Sequence, residues 1–335
     1  MPEINNRQLT LLVTGGGGFI GSHFVNLLRK KTSHKILVVD NFSQGRENIL
    51  EDQKIKYFEV DLRDTHKLAE VFKANKIDAV VHFAALATIT GSVTDPGATY
   101  ENNLLGGWNL LNAMLKAGVK KIIFSSSASV YGEPITEVLA EDHPKNPVNP
   151  YGFSKWAFER MLQDYNRGYG LDSISFRYFC AAGSDPELQV AEHHIPETHV
   201  IPCMLETFLG RRKEFLVFGQ DYPTPDGTGI RDYIHVEDLA SAHLNGLDKL
   251  MATDGFCQPY NLGINKGFSV LELIAAAEKI VGKKLNYKIA ARRPGDPSRL
   301  IANASKANQE LGWQPKYTQI EDMIQTCYNA LKVQK

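Results

Sequence analysis

Residues 9–21 read Leu-Thr-Leu-Leu-Val-Thr-Gly-Gly-Gly-Gly-Phe-Ile-Gly. An apolar run breaks at four glycines and resumes as the start of a helix, the pattern of buried strand, tight loop and helix. Gly15, Gly18 and Gly21 have the spacing G-x-x-G-x-x-G. Glycine there lets the main chain approach a pyrophosphate and leaves helix N-terminal amides facing its charge. Working outward, apolar runs at Lys35–Asp40, Ile55–Val60, Ala79–Phe83, Lys121–Ser126 and Ser173–Phe179 read as further strands. Between them lie helical segments at Gly18–Arg29, Tyr100–Ala117 and Tyr151–Gly168. Strands that are apolar throughout, alternating with helices, predict a parallel sheet covered on both faces, a Rossmann-type doubly wound α/β fold.

Beyond residue 180 the texture changes. Polar, proline-containing loops (Ser184–Pro196, Asp221–Gly229) separate shorter elements, and Ser269-x-x-Glu272 forms a capping box for a helix expected to run to Val281 and stop at Gly282. We expect residues 1–180, with some later segments, to form the dinucleotide-binding domain. Residues 181–335 should form mainly a smaller α/β substrate lobe, with a cleft between the two.

Composition narrows the partners. The chain has 335 residues, 43% hydrophobic and 22% charged, with a formal net charge of -1. That is globular composition without the basic face that nucleic acid or a membrane surface requires. Its four cysteines, Cys180, Cys203, Cys257 and Cys327, are scattered without a C-x-x-C pair, so zinc spacings are excluded, no metal is expected, and a reducing cytoplasm suits them. Met1–Thr10 is polar, and no run of the chain reaches the ~18 apolar residues of a membrane helix. A soluble, cytoplasmic protein is the expectation.

Asp40 ends the second strand, 19 residues past Gly21. A carboxylate there accepts hydrogen bonds from an adenosine ribose and repels a 2′-phosphate, so NAD is expected in preference to NADP. Arg46 reads as a solvated loop cation, and Asp61 is placed to meet the adenine, with helix capping its competing role. Tyr151 and Lys155 form Y-x-x-x-K on one helix face, and Ser125-Ser-Ser127 precedes them at a strand end. Tyr328 and Lys332 repeat the spacing without a strand or serine before them, and read as an ordinary surface helix. A free tyrosine titrates near ~10. A lysine cation at ~4 Å favours the phenolate by ~4 kcal/mol at an effective dielectric of ~20 before desolvation offsets some of it, and a nicotinamide cation nearby adds to this, which would bring Tyr151 toward neutrality. Tyr151 could then take a substrate hydroxyl proton while Ser127 holds the oxygen.

These segments resemble the extended short-chain dehydrogenase/reductase family, and within it the UDP-glucose (UDP-galactose) 4-epimerases. The similarity spans nearly the whole chain. It includes Thr14–His23, Val39–Asn41, His82–Ala85, Ser125–Gly132, Asn149–Lys155 and Arg177–Phe179, and the more specific segments Tyr222–Val236 and Arg292–Asp296. The resemblance implies interconversion of UDP-glucose and UDP-galactose through a 4-keto sugar with tightly bound NAD. It places Phe19, Ile20, Asp40, Asn41, Asp61, Leu62, Phe83, Ala84, Asn102, Tyr151, Lys155 and Phe179 against NAD. It places Ser127, Tyr151, His199, Leu216, Phe218, Arg231, Arg293 and Asp296 around the UDP-sugar. Four positions depart from the pattern: Cys180 stands where an asparagine that contacts substrate is common, Ala87 where a lysine is, and Leu105 where an asparagine is. Leu300 occupies the position whose size is linked to which hexoses fit, so a UDP-N-acetylhexosamine or UDP-pentose is the alternative substrate.

Three other functions compete. A 4,6-dehydratase needs an acid–base pair beside the serine, and Ala128 and Ser129 cannot supply it. A dehydrogenase or reductase that releases its cofactor would share the Ser–Tyr–Lys core, so only the UDP-binding segments argue against it. A catalytically idle regulator would not need that core intact. The helices Tyr100–Ala117 and Tyr151–Gly168 are expected to pair with their copies in a homodimer, as in many relatives.

Overall fold

In the computed structural model of the chain, the described residues are 7–46, 49–192, 197–293 and 296–334. Parts of the N-terminal segment, of the Ser184–Pro196 loop and of the Arg292–Asp296 motif lie outside them. The chain begins β1 (Thr10–Thr14), α1 (Phe19–Lys31), β2 (Lys35–Asp40), β3 (Ile55–Glu59), α2 (Thr65–Ala74) and β4 (Ala79–His82). Next come α3 (Ile89–Thr94), α4 (Pro96–Tyr100), a π-helical turn (Glu101–Gly106), α5 (Gly107–Lys116) and β5 (Lys121–Ser127). A 3₁₀ turn (Ala128–Val130) leads to α6 (Pro150–Tyr169), β6 (Asp172–Tyr178), β7 (Cys180–Ala182), α7 (Val200–Phe208) and β8 (Phe215–Phe218). Then follow β9 (Ile230–His235), α8 (Val236–Met251), β10 (Cys257–Leu262), β11 (Gly267–Ser269) and α9 (Val270–Val281). The last elements are β12 (Tyr287–Ala290), β13 (Arg299–Leu300), α10 (Ser305–Leu311) and α11 (Ile320–Val333).

Seven parallel strands form one sheet in the order β10-β6-β5-β4-β1-β2-β3. The order reverses between β1 and β4, and the crevice beyond the carboxyl ends of strands at such a reversal is where ligands bind. The expected doubly wound fold is present. β2 and its neighbours are apolar because both faces are covered: Leu11, Val13, Ile36 and Val38 face one core with α1 and α8, and Leu12, Leu37 and Val80 face the other with α2, α5 and α6.

One feature differs from the sequence reading. The helix expected over 100–117 is interrupted by the π turn, where Asn103 turns its side chain inward. Its Oδ1 accepts from Leu86 N at 2.8 Å, and its Nδ2 donates to Leu86 O at 3.1 Å and Ser154 Oγ at 3.0 Å. The chain returns to the large sheet late, as β10 pairs with β6 and α8 and Trp313 join the first core. The smaller lobe is built around β9, which carries β7 and β13 as parallel partners and β11 as an antiparallel one, with β8–β12 beside it. Its separate core draws on α7, α9 and α11. The capping box forms as read, and Gly282 ends α9 in the left-handed conformation at φ 74°.

Candidate active site

The glycine loop forms one end of the cleft. Gly15 sits at φ 72°, and a Cβ there would lie 2.5 Å from Ala84 N; one at Gly21 would lie 2.1 Å from Gly15 O. Only glycine allows β1, the loop and α1 to close so tightly. Gly18 caps α1 with no side-chain hydrogen bond, so the first amides of the helix stay available to an anion. Asp40 lies across the loop. Its Oδ2 accepts from Gly17 N and its Oδ1 from Phe42 N, both at 2.9 Å. Burial raises the Asp40 carboxyl, and the backbone donors of Phe42, Gly17 and Asn41 oppose that rise.

Phe19, Ile20, Asn41, Asp61, Leu62, Phe83, Ala84, Asn102, Tyr151 and Lys155 share this cleft with Gly15, Gly18, Gly21 and Asp40. Asp61 accepts a hydrogen bond from Asn41 Nδ2 at 3.0 Å and is held well below the usual carboxylate range, chiefly by Arg63. Asp64, not Asp61, caps α2. Arg46 is exposed. A glycine cradle, uncapped helix amides, a buried carboxylate and apolar walls fit a dinucleotide.

Tyr151 lines this cleft and also a second cavity of about 310 Å³. Ser127, Phe179, Cys180, His199, Arg231, Asp296 and Leu300 line that second cavity. Phe179 lines that second cavity beside Ile20 and Tyr151, which border both it and the cleft. A third cavity, of about 400 Å³, adjoins it through Cys180, Arg231 and Asp296, and holds Leu216, Phe218 and Arg293. Arg231 is bonded to Asp296 through Nη2, so these two residues begin as an ion pair. The same guanidinium donates to Pro297 O at 2.6 Å and Ile230 O at 2.7 Å. Arg293 lies 4.0 Å over the Phe218 ring.

At the junction, Lys155 Nζ donates to Ser125 O at 2.8 Å and lies 5.7 Å from the Tyr151 ring centroid. Burial pulls the Lys155 ammonium down to about 7. Burial also pushes the Tyr151 phenol up, and the hydrogen bond with Ser127 pulls it partly back. In the chain without a bound nicotinamide cation, desolvation outweighs the Ser127 hydrogen bond at the phenol, the offset that burial was expected to bring. Cys180 is pushed up to about 11 by burial, so it enters the pocket as a neutral thiol. Burial opposes the His199 imidazolium, yet Glu197 and Glu192 hold it above its ordinary value. The potential ligand atoms of Glu192, Glu197 and His199 lie within 4.8 Å of one another; His199 Nδ1 meets Glu197 at 2.8 Å as an ion pair. Tyr328, the second Y-x-x-x-K tyrosine, packs against the small-lobe core instead.

The model of the NAD dependent epimerase/dehydratase family matches residues 11–263. This chain belongs to that family. A UDP-glucose 4-epimerase of Halalkalibacterium halodurans is 44% identical over 321 residues, 96% of this chain and 95% of the relative. The solved UDP-glucose 4-epimerase of Bifidobacterium longum, in complex with NAD+ and UDP, superposes with a TM-score of 0.91. It is 39% identical and covers 97% of this chain and 98% of that one. A UDP-Glc/GlcNAc 4-epimerase of Campylobacter jejuni gives 0.84 at 39% identity, covering 97% and 99%.

In this NAD-dependent family member the structure also shows residues that the sequence reading passed over. Tyr178 lines both the cleft and the second cavity. Its hydroxyl donates to His243 Nε2 at 2.6 Å, while His243 Nδ1 donates to Leu239 O at 2.8 Å. Burial holds that imidazole down at about 4, hence neutral. Arg212 and Tyr233 line the third cavity. A strand tyrosine paired with a histidine 65 residues away leaves no local pattern to read.

Proposed function

We propose that the chain is a UDP-hexose 4-epimerase that interconverts UDP-glucose and UDP-galactose through a 4-keto sugar. The carrying observation is that Tyr151, hydrogen-bonded to Ser127, lines both the dinucleotide cleft and the adjoining cavity. A sugar carbon there can meet the cofactor and a proton acceptor together. Bound in the cleft, NAD supplies a reversible hydride acceptor. Gly15, Gly18, Gly21, Phe19, Ile20, Asp40, Asn41, Asp61, Leu62, Phe83, Ala84, Asn102, Tyr151, Lys155 and Phe179 hold it. Tyr151 takes the hydroxyl proton from the sugar and returns it, while Ser127 orients the oxygen.

Arg231 and Arg293 grip the diphosphate, each with a planar guanidinium suited to phosphate oxygens, and Asp296 accepts from the ribose once Arg231 turns to the anion. Leu216 and Phe218 flank the nucleoside. The hexose lies against Cys180, His199 and Leu300. A hexose touching mostly apolar walls beside a tightly gripped diphosphate is free to turn its other face, as epimerisation requires. In this reading residues 1–180, with later segments, serve the cofactor, and 181–335 mainly the nucleotide sugar.

The same reading includes a homodimer in the cytoplasm. Tyr100, Leu105, Trp108, Phe153 and Tyr169 are exposed large apolar side chains on α4, the π turn, α5 and α6, a face suited to a second copy. All four cysteines are free thiols. Among the described residues no helix is long and apolar enough to cross a membrane. Incubating purified protein with UDP-galactose, without added cofactor, and identifying the sugar product tests the assignment.

A further inference from the structure

The three serines that end β5 are each tied to α6. Lys155 takes the carbonyl of Ser125, Tyr151 pairs with Ser127, and Ser126 Oγ donates to Glu159 Oε1 at 2.5 Å. Tyr151, Lys155 and Glu159 are spaced by four along the helix, so they project from one face. The middle rung is turned into the interior, although Ser126 also borders the second cavity. Ser126 and Glu159 are buried, and so is Arg177, the register partner of Ser126 on β6.

Arg177 grips Glu159 in a bidentate pair, Nε to Oε1 at 3.0 Å and Nη2 to Oε2 at 2.6 Å. Its remaining donor group reaches the Tyr131 hydroxyl at 3.0 Å and Glu141 O at 2.8 Å. Tyr131 in turn donates to Asn261 Oδ1 at 2.6 Å. The network therefore holds the chain just before Ser127, at Ser126, and just after it, at Tyr131. A buried ion pair is weak evidence for stability, because its desolvation can exceed its attraction. Apolar residues would fill this space at lower cost, so the network's geometry is the feature that needs a role.

We propose that Glu159 is a positioning residue for the epimerase reaction, fixing through Ser126 and Arg177 the placement of Ser127 and of the Ser125 carbonyl against Tyr151 and Lys155. The claim rests on the epimerase reading for its rate effect, but not for its effect on the phenol. Ser126→Ala removes one hydrogen bond and leaves the ion pair in place. With UDP-galactose it should lower kcat by roughly 10- to 100-fold, as a small misplacement at a reacting centre does, and leave KM within about twofold. Ser126→Thr, which keeps the hydroxyl, should restore most of the rate. Ultraviolet difference titration of the Tyr151 phenol, using Tyr151→Phe as the blank, should show its ionisation displaced in Ser126→Ala and restored in Ser126→Thr. Tyr260→Phe, which loses a similar hydrogen bond to Glu310 at 2.6 Å, should change thermal stability but neither readout.

Unchanged kcat and unchanged phenol titration in Ser126→Ala, with stability lowered as in Tyr260→Phe, overturn the proposal. A displaced phenol in a protein whose wild type does not epimerise UDP-galactose supports the positioning role and removes the epimerase reading instead.

Discussion

Replacing Lys155 with methionine should stabilise the fold at neutral pH while removing turnover. Lys155 is 3% exposed, and burial carries its ammonium from the ordinary 10.5 down to about 7. At about 1.4 kcal/mol for each factor of ten, holding the protonated lysine in the folded protein costs about 5 kcal/mol. The sign follows from the proton count. Between pH 7 and 10.5 the unfolded chain binds more protons at this site than the folded one, so the site's contribution to stability rises with pH across that window. Below pH 7 the cost is fully present; above 10.5 it is gone. Methionine has similar length and no charge, but leaves Ser125 O without the donor now 2.8 Å away, which costs about 1–3 kcal/mol. The net gain at pH 6–7 is then about 2–4 kcal/mol, turning into a loss near pH 10. Chemical denaturation of wild type and Lys155→Met at both pH values, with matched cofactor content, measures it. Equal destabilisation at the two pH values would refute the reasoning, because it would mean that the lysine is not buried at a cost.

Tyr151→Phe should nearly abolish turnover without disturbing fold or NAD content, and Ser127→Ala should cost on the order of 10²-fold. Tyr328→Phe, which alters a residue packed against the small-lobe core, should leave kcat unchanged; equal behaviour of the two tyrosine variants would mean that the site is misplaced. With Asp40, which lines the cleft, proposed to take the adenosine ribose, NAD should bind far more tightly than NADP, and titration of both cofactors giving equal affinities would remove Asp40 from that role. Leu300, paired with Arg231 across β13 and β9, lines the second cavity, proposed to take the hexose. Leu300→Ser should therefore raise kcat/KM for UDP-N-acetylgalactosamine relative to UDP-galactose, and Leu300→Tyr should lower it, by factors set by ~1–3 kcal/mol of shape difference. A flat ratio across the three proteins would show that Leu300 does not gate the cavity.

The parts of this protein written in local pattern were readable in advance. The strand–glycine–helix unit at 10–31, the strand pair β1–β2 and the capping box at Ser269 each depend on residues close in sequence. β10 was harder to see: it contains Pro259, follows elements of the other lobe, and pairs with a strand more than 80 residues earlier. The π turn depends on Asn103 bonding to the backbone of Leu86, a tertiary contact that helical periodicity does not carry. The same holds in the site. Tyr151, Lys155 and Ser127 were marked by spacing, but how far burial offsets the pull on the phenol depends on the packed structure. Arg177 and Glu159 meet in the interior across β6 and α6, a pairing that no local spacing marks.

The central claim is that one bound cofactor serves both halves of the reaction beside Tyr151. Purified protein given UDP-galactose, with no NAD added, should produce UDP-glucose and come to the same mixture when started from UDP-glucose. Tyr151→Phe should do neither. If wild-type protein leaves UDP-galactose unchanged under these conditions, or converts it only while consuming added NAD or NADH in proportion to product, the epimerase account is contradicted.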